Sequence, residues 1–150
     1  MVTRILLDAG LIGLSSSDPQ NPSRIAFLRW VITKQANADV CVTPLSLYEA
    51  RRDLVRVGSV RKLARLDQFC QSLIPLPVTD QAWERATDFW AIVRRLGRNT
   101  ASPLALDADA ILAGVAATCG QPGDAVVVAT TNIRHLGWFP GIDARLWQSF

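Results

Sequence analysis

The chain has 150 residues, 49% of them hydrophobic and 19% charged, with a formal net charge of +3. This composition excludes a disordered polymer, and the apolar runs are too short for a membrane span or a secretion signal. The three cysteines, Cys41, Cys70 and Cys119, form no CxxC pair. We therefore expect reduced thiols in a cytoplasmic protein, without a disulfide framework or a zinc site.

The first part of the chain predicts a strand, a loop and a helix. Residues 4–7 form a short apolar strand that stops at Asp8 and Gly10, and residues 15–23 form a polar loop rich in turn-forming residues. Asn21 and Pro22 are typical of an N-cap and a first helical residue, so we expect a helix from there to about Gln35. The spacing of its apolar residues predicts a buried face of Ile25, Leu28 and Ile32.

The middle of the chain repeats this pattern. Residues 38–44 predict a second buried strand, and Thr43 followed by Pro44 begins another helix. Gly58 and Ser59 interrupt the helical pattern, and a further helix is expected over residues 60–71. Residues 73–78 contain two prolines, which restrict this short strand to an edge of the sheet.

The last part of the chain predicts two helices and the strongest strand. A helix from about residue 80 to 96 ends at Gly97, and the next is expected from about residue 108 to 119. Residues 124–132 form a valine-rich strand, and the tail can add one short edge strand. Strands that alternate with helices predict an α/β protein, a three-layer α/β/α sandwich with a mostly parallel central sheet, as a single domain over residues 1–150.

Several carboxylates fall where the strands of such a sheet end. Ligands of open α/β sheets bind beyond the carboxyl ends of the strands. The candidates are Asp8 after the first strand, Glu49 in the second turn of the helix after the second strand, Asp107 and Asp109 at the start of an apolar helix, and Asn132 after the valine strand. If these acids converge, their charges need a cation, and oxygen ligands favour Mg²⁺ or Mn²⁺.

Each of these residues also has a structural interpretation. Asp107 is a good N-cap, and Asp109 in a first helical turn would favour the helix dipole. Asp8 can end its strand in an Asx-turn, and Glu49 can pair with Arg52 three residues later. Asn132 is an ordinary turn residue when taken alone. The lone histidine, His135, is more typical of a hydrogen-bonding residue than of a base or a metal ligand.

The motifs taken together, in their order along the chain, resemble the PIN-domain family of metal-dependent ribonucleases, including VapC-type toxins. The matching segments are ILLDAG with Asp8, PLSLYEARRDL with Glu49, LDADAILA with Asp109, and VVVATTNIRHL with Thr130 and Asn132. Asp107 fits those members that have a D-x-D at this point. The resemblance extends from Ile5 to about Trp147.

The resemblance implies a fold, an activity and partners. It implies the strand order 3-2-1-4-5 and hydrolysis of RNA phosphodiester bonds with Mg²⁺ or Mn²⁺. The metal would be held by Asp8, Asp109 and Asp107, with Glu49 binding through water and Thr130 and Asn132 in support. It also implies an antitoxin protein and a homodimer, with the chain as the toxin of a type II toxin–antitoxin pair.

Two positions depart from the family pattern. Asn132 stands where many members have a fourth aspartate, and Gly10 stands where many have a polar side chain. Ser15, Ser16 or Ser17 could supply a polar group in place of the latter. The alternative function is therefore a PIN scaffold with degraded chemistry that binds RNA or a protein partner. A phosphoryl-transfer domain with Asp8 as nucleophile is disfavoured because Gly10 replaces the second aspartate that it needs.

Basic residues follow Glu49, and aromatic residues mark the long helix. A phosphate-tracking surface and a solvated helix face are equally good interpretations of the basic group Arg51, Arg52, Arg56, Arg61, Lys62 and Arg65. We assign RNA binding most directly to Arg51, Arg52 and Arg56. Trp83 and Trp90 share a helical stripe with Ala86 and Val93, which predicts a core or dimer-interface position for them.

Overall fold

A computed structural model describes residues 1–97 and 103–150. One parallel sheet is built from the five strands of these ranges: β1 (Thr3–Leu7), β2 (Asp39–Val42), β3 (Ile74–Pro75), β4 (Ala125–Thr130) and β5 (Ala144–Leu146). Their order across the sheet is β3-β2-β1-β4-β5. The predicted α/β class and the strand order 3-2-1-4-5 are confirmed.

Helices connect the strands and cover both faces of the sheet. In chain order, those in the described ranges are α1 (Ala9–Ser15), α2 (Pro22–Gln35), α3 (Pro44–Arg56), α4 (Val60–Gln71), α5 (Asp80–Arg95), α6 (Pro103–Thr118) and α7 (Ile133–Leu136). A short 3₁₀ turn (Trp147–Ser149) follows β5. None of these helices combines the length and the apolarity that crossing a bilayer requires.

Alternate residues of each central strand point to opposite faces of the sheet. Ile5 and Leu7 of β1 pack into a core with α1, α2 and α4. Leu6 packs on the other side, against α5 and α6. The sheet is therefore buried on both faces, which explains why its strands are continuous apolar runs.

The helix-start signals in the sequence correspond to real caps. The Asn21 side chain accepts hydrogen bonds from the backbone N–H groups of Ser23 and Arg24, with Pro22 as the first helical residue. Thr43 caps α3 in the same way, through the N–H of Ser46. At the other end of a helix, Gly97 stops α5 with a φ of 65°, a conformation that favours glycine.

One helix was not predicted, and two sequence-based expectations are wrong. Residues 9–14, for which no element was expected, lie in the helix α1, and the predicted polar loop follows that helix. Helix α6 begins at Pro103, so Asp107 lies inside the helix and is not its N-cap. In α2 the buried residues are Phe27 and Val31, whereas Ile25 and Ile32 are exposed. The apolar residues of α2 lie on several sides of the helix, so their spacing does not indicate which side is buried.

The three cysteines lie in or against the core, whereas the two tryptophans of α5 are exposed. All three thiols are free, with Cys41 buried and Cys70 and Cys119 half-buried. Trp83 is 50% exposed and Trp90 is 38% exposed, so the core interpretation of these two side chains is wrong. The core positions of α5 are Ala82, Ala86, Phe89 and Val93.

Candidate active site

Asp8 lies at the carboxyl end of the central strand β1 and is fixed through both carboxylate oxygens. Its backbone N–H donates to the carbonyl of Ala129 on the neighbouring strand β4, 3.1 Å away. Oδ1 accepts a hydrogen bond of 2.9 Å from the N–H of Leu11, so Asp8 is the N-cap of α1. Oδ2 accepts a hydrogen bond from the hydroxyl of Thr130. Burial raises the pKa of Asp8, and these hydrogen bonds partly oppose that rise.

Thr130 connects Asp8 to the turn that follows β4. The Thr130 side chain is buried, and its hydroxyl accepts a 2.9 Å hydrogen bond from the backbone N–H of Asn132 while it donates to Asp8. The side chain of Asn132 accepts from the N–H of Arg134 at 3.1 Å and caps the short helix α7. Asn132 therefore supports Asp8 through its backbone, and its amide oxygen is used in the cap.

Asp109 projects from α6 towards the same edge of the sheet. Its side chain is 27% exposed. Burial, and then the negative charge of Asp8, raises the pKa of Asp109 to about 6. A charge effect of this kind requires the two carboxylates to be close in space, although 101 positions separate them in the sequence (109 minus 8).

Glu49 is the third acid of this group. It is half-buried on α3, and burial raises its pKa. The charge of Arg52 lowers that pKa, whereas the charges of Asp109 and Asp8 raise it further. The guanidinium of Arg52 lies over the ring of Tyr48, 5.7 Å from its centroid. Asp8, Glu49 and Asp109, hereafter the acidic cluster, therefore repel one another across the carboxyl edge of the sheet.

The donor chemistry of the acidic cluster suits a hard divalent cation. Within residues 1–97 and 103–150, no three carboxylate, imidazole or thiol side chains are arranged to enclose a metal ion by themselves. Mg²⁺, however, is usually held by one or two carboxylates and keeps several waters. The repelling, partly buried pair Asp8 and Asp109 fits that pattern, and a cation between them would offset the repulsion that raises the pKa of Asp109.

The structure does not bring Asp107 to the acidic cluster. Residues two positions apart on a helix point about 200° apart, so Asp107 and Asp109 lie on opposite sides of α6. Asp107 is exposed and borders a groove between α5 and α6 together with Trp83 and Trp90. The sequence pattern D-A-D alone could not separate the two acids, because it leaves open where the helix begins.

His135 is a neighbour of the acidic cluster that the sequence did not single out as functional. Its Nδ1 lies 3.5 Å from Oδ2 of Asp109, and its ring lies 4.8 Å from that of Trp138. When protonated, His135 would be an ion-pair partner of Asp109. No local pattern indicates this contact, because it depends on how α7 folds back onto α6.

The basic residues after Glu49 differ in what they contact. Arg51 pairs with Asp67 on α4, and Arg65 donates to the carbonyl of Ser16 at 3.0 Å. These two contacts join helices to one another. Arg52 and Lys62 instead line a cleft beside Glu49. Arg56 is exposed at the end of α3.

Comparison with known proteins gives matches in structure. No protein-family model matches the chain. No curated protein matches it in sequence either. A chain in VapBC2 from Rickettsia felis, solved bound to a DNA fragment from their promoter, has a TM-score of 0.78 at 12% identity. The match covers 96% of this chain and 98% of that one.

Two further matches have the same extent. A chain of DNA-bound VapBC from Salmonella typhimurium has a TM-score of 0.69 at 22% identity, covering 98% of this chain and 99% of that one. A chain of FitAcB from Neisseria gonorrhoeae has a TM-score of 0.70 at 19% identity, covering 97% and 99%. Likeness of this extent, together with the five-stranded parallel order described above, shows that this chain has the PIN-domain fold.

Proposed function

We propose that this protein is a metal-dependent ribonuclease that hydrolyses RNA phosphodiester bonds. The observation that carries the proposal is the acidic cluster at the carboxyl edge of the sheet, in which burial first, and then the charges of the neighbouring acids, raise the pKa of Glu49 and that of Asp109. A protein gains no stability from such repulsion, so a cluster of this kind at the ligand-binding edge of a parallel sheet favours a functional role.

In this proposal Asp8 and Asp109 hold Mg²⁺ or Mn²⁺, and Glu49 contacts it through water. Such an ion, when bound, supplies charge for the phosphate oxygens and makes a bound water more acidic. Leu11 and Thr130 orient the two oxygens of Asp8, and Asn132 orients Thr130. Asp107, which the family pattern also offers as a ligand, has no part here because it lies across α6.

We further propose that the chain is the toxin of a toxin–antitoxin pair, acting in the cytoplasm. The support is the likeness to chains of VapBC and FitAcB, complexes that contain a VapB or FitA antitoxin. We propose an antitoxin partner on the same likeness, and a homodimer on the family resemblance of the sequence motifs. The exposed tryptophans of α5 provide an apolar surface that is compatible with either contact.

The alternative is a scaffold with the same fold that binds RNA or a protein without cleaving it. Asn132 favours this alternative, because its side chain caps α7 and supplies no fourth carboxylate. Gly10 favours it too, since it adds no polar group beside Asp8. The hydroxyls of Ser15 and Ser16 donate to the carbonyls of Ile12 and Gly13 and are already occupied.

The two functions are separated by incubating the purified protein with single-stranded RNA. We expect cleavage with Mn²⁺ that stops when EDTA removes the metal, because the acidic cluster alone repels the phosphate. Double-stranded DNA serves as a substrate control, and Asp109→Asn protein purified in parallel excludes a contaminating nuclease. Protein that binds RNA but leaves it intact over a range of Mn²⁺ concentrations would support the scaffold instead.

A further inference from the structure

A polar cleft opens directly beside the acidic cluster. It has a volume of about 420 Å³ and lies between α1, α3 and α4. Gly10 and Glu49, which lie near Asp8, border the cleft, and Arg52, Asp53 and Lys62 also line it. A ligand that binds at the acidic cluster and extends beyond it can therefore enter this cleft.

Helix α1 lines the cleft with two glycines, Gly10 and Gly13. A Cβ atom built on Gly13 would meet nothing within 4 Å, so the absence of a side chain there leaves open space. Packing therefore does not require glycine at this position. The end of α1 is held in place by Arg24 and Arg65, which donate to the carbonyls of Ser15 and Ser16 at 2.9 and 3.0 Å. The α1 side of the cleft therefore has open space at Gly13, and the helix that forms it is held in position.

The walls of the cleft carry both signs of charge. Arg52 and Lys62 are cations, whereas Glu49 and Asp53 are acids. Cations bind phosphates, and carboxylates accept hydrogen bonds from base amino groups and ribose hydroxyls. A wall of mixed charge is therefore suited to a complete nucleotide better than to a bare phosphate.

From this arrangement we infer that the cleft holds the nucleotide next to the cleaved phosphodiester, as part of a single RNA strand. The inference rests on the proposed ribonuclease function and names the substrate-binding residues of that site. Gly13 leaves the space, Lys62 and Arg52 contact the flanking phosphate, and Asp53 faces the base. The volume of about 420 Å³ lies near the lower end of the range for small-ligand sites, about 300 to 1,000 Å³, and is large enough for one nucleotide.

The inference is tested by filling the cleft without disturbing the fold. Gly13→Leu places a side chain in the open space, and Gly13→Ala adds only a methyl group. Both substitutions favour the helix, so we expect the melting temperature to stay the same or rise. Binding of a short, fluorescein-labelled single-stranded RNA of random sequence is measured by anisotropy in an Asp109→Asn background, which keeps the probe intact.

We expect Gly13→Leu to weaken RNA binding by about tenfold, and Gly13→Ala to weaken it less. Lys62→Gln should lower the salt dependence of binding by the amount of one phosphate contact, a change of about 0.7 in the log–log slope for a single strand. Arg95→Gln removes an equal charge from the exposed end of α5 and should leave the affinity unchanged.

The outcomes separate this inference from the proposed function. If Gly13→Leu and Lys62→Gln bind RNA as tightly as their parent, the cleft does not hold RNA, and this conclusion does not depend on whether the wild type cleaves RNA. A protein segment as the true occupant of the cleft would give this result. If the cleft variants lose RNA affinity but the wild type never cleaves RNA with Mn²⁺, the cleft binds single-stranded RNA and the ribonuclease proposal fails.

Discussion

Substituting Asp109 by asparagine is expected to abolish RNA cleavage and to stabilise the metal-free protein near pH 8. The ionised carboxylate of Asp109 is partly buried and faces the charge of Asp8, which raises its pKa from 3.8 to about 6. A shift of this size corresponds to about 3 kcal/mol of cost for the ionised form. Asparagine keeps the shape and removes the charge.

The pH dependence gives this prediction its sign. Because the folded protein holds the Asp109 proton more tightly than the unfolded chain, this group makes folding less favourable as the pH rises from about 4 to above 6. In EDTA we expect the variant to melt about 6 to 12 °C above wild type near pH 8, with the difference vanishing near pH 4. Asp107→Asn, on the opposite side of α6, should show no such gain.

The loss of activity should accompany the gain of stability. Removal of one of two carboxylates that hold the metal should reduce cleavage at least about a hundredfold, measured as initial rates with saturating RNA. An Asp109→Asn protein that is less stable than wild type at high pH, or that cleaves RNA at the wild-type rate, would be incompatible with the described cluster.

Replacing Gly114 by alanine is expected to destabilise the protein strongly. The helices α5 and α6 approach closely at this residue: a Cβ on Gly114 would lie 2.4 Å from the carbonyl oxygen of Ala82 and 3.0 Å from the nitrogen of Ala86. Both are backbone atoms that cannot rotate away, so the helices must separate. We expect a loss of about 3 kcal/mol in the free energy of unfolding, measured by urea denaturation.

Gly13→Ala is the matched control for this substitution. It also replaces a helical glycine, but no atom lies within 4 Å of the new methyl group. It should stabilise the protein by up to about 1 kcal/mol, the ordinary effect of alanine in a helix. Equal effects of the two substitutions would mean that α5 and α6 do not pack as described.

Local signals in the sequence predict most of the secondary structure. Asn21 with Pro22, and Thr43 with Pro44, mark helix starts because a side-chain cap and a fixed φ act within a few residues. Continuous apolar runs mark the strands β1 and β4 because both faces of the sheet are buried. These features require no knowledge of distant parts of the chain.

Features that depend on tertiary packing are harder to predict. Helix α1 is short and contains two glycines, so its own pattern is weak, and the cap from Asp8 and the cover of the sheet define it. Phe27 lies on the buried side of α2 because it packs in an aromatic cluster with Trp30 of the same helix and with Trp147, which is far away in the sequence. Periodicity within α2 carries no information on that cluster.

The acidic cluster combines both kinds of information. The positions of Asp8 and Glu49 relative to strand ends follow from the sequence, and parallel topology then predicts one common edge. Whether Asp107 or Asp109 faces that edge depends on the rotation of α6, which the residue pattern does not give. The contact of His135 with Asp109 likewise depends on the folded chain.

The most direct test of whether Asp8 and Asp109 together form a metal site is the affinity for Mn²⁺. It is measured from the decrease in the EPR signal of free Mn²⁺ as the ion binds to the protein. The account predicts that wild type binds the ion, that Asp8→Asn and Asp109→Asn each weaken binding by at least about tenfold, and that Asp107→Asn retains the wild-type affinity. Wild-type affinity in the Asp8 and Asp109 variants, or a loss confined to Asp107→Asn, would contradict it.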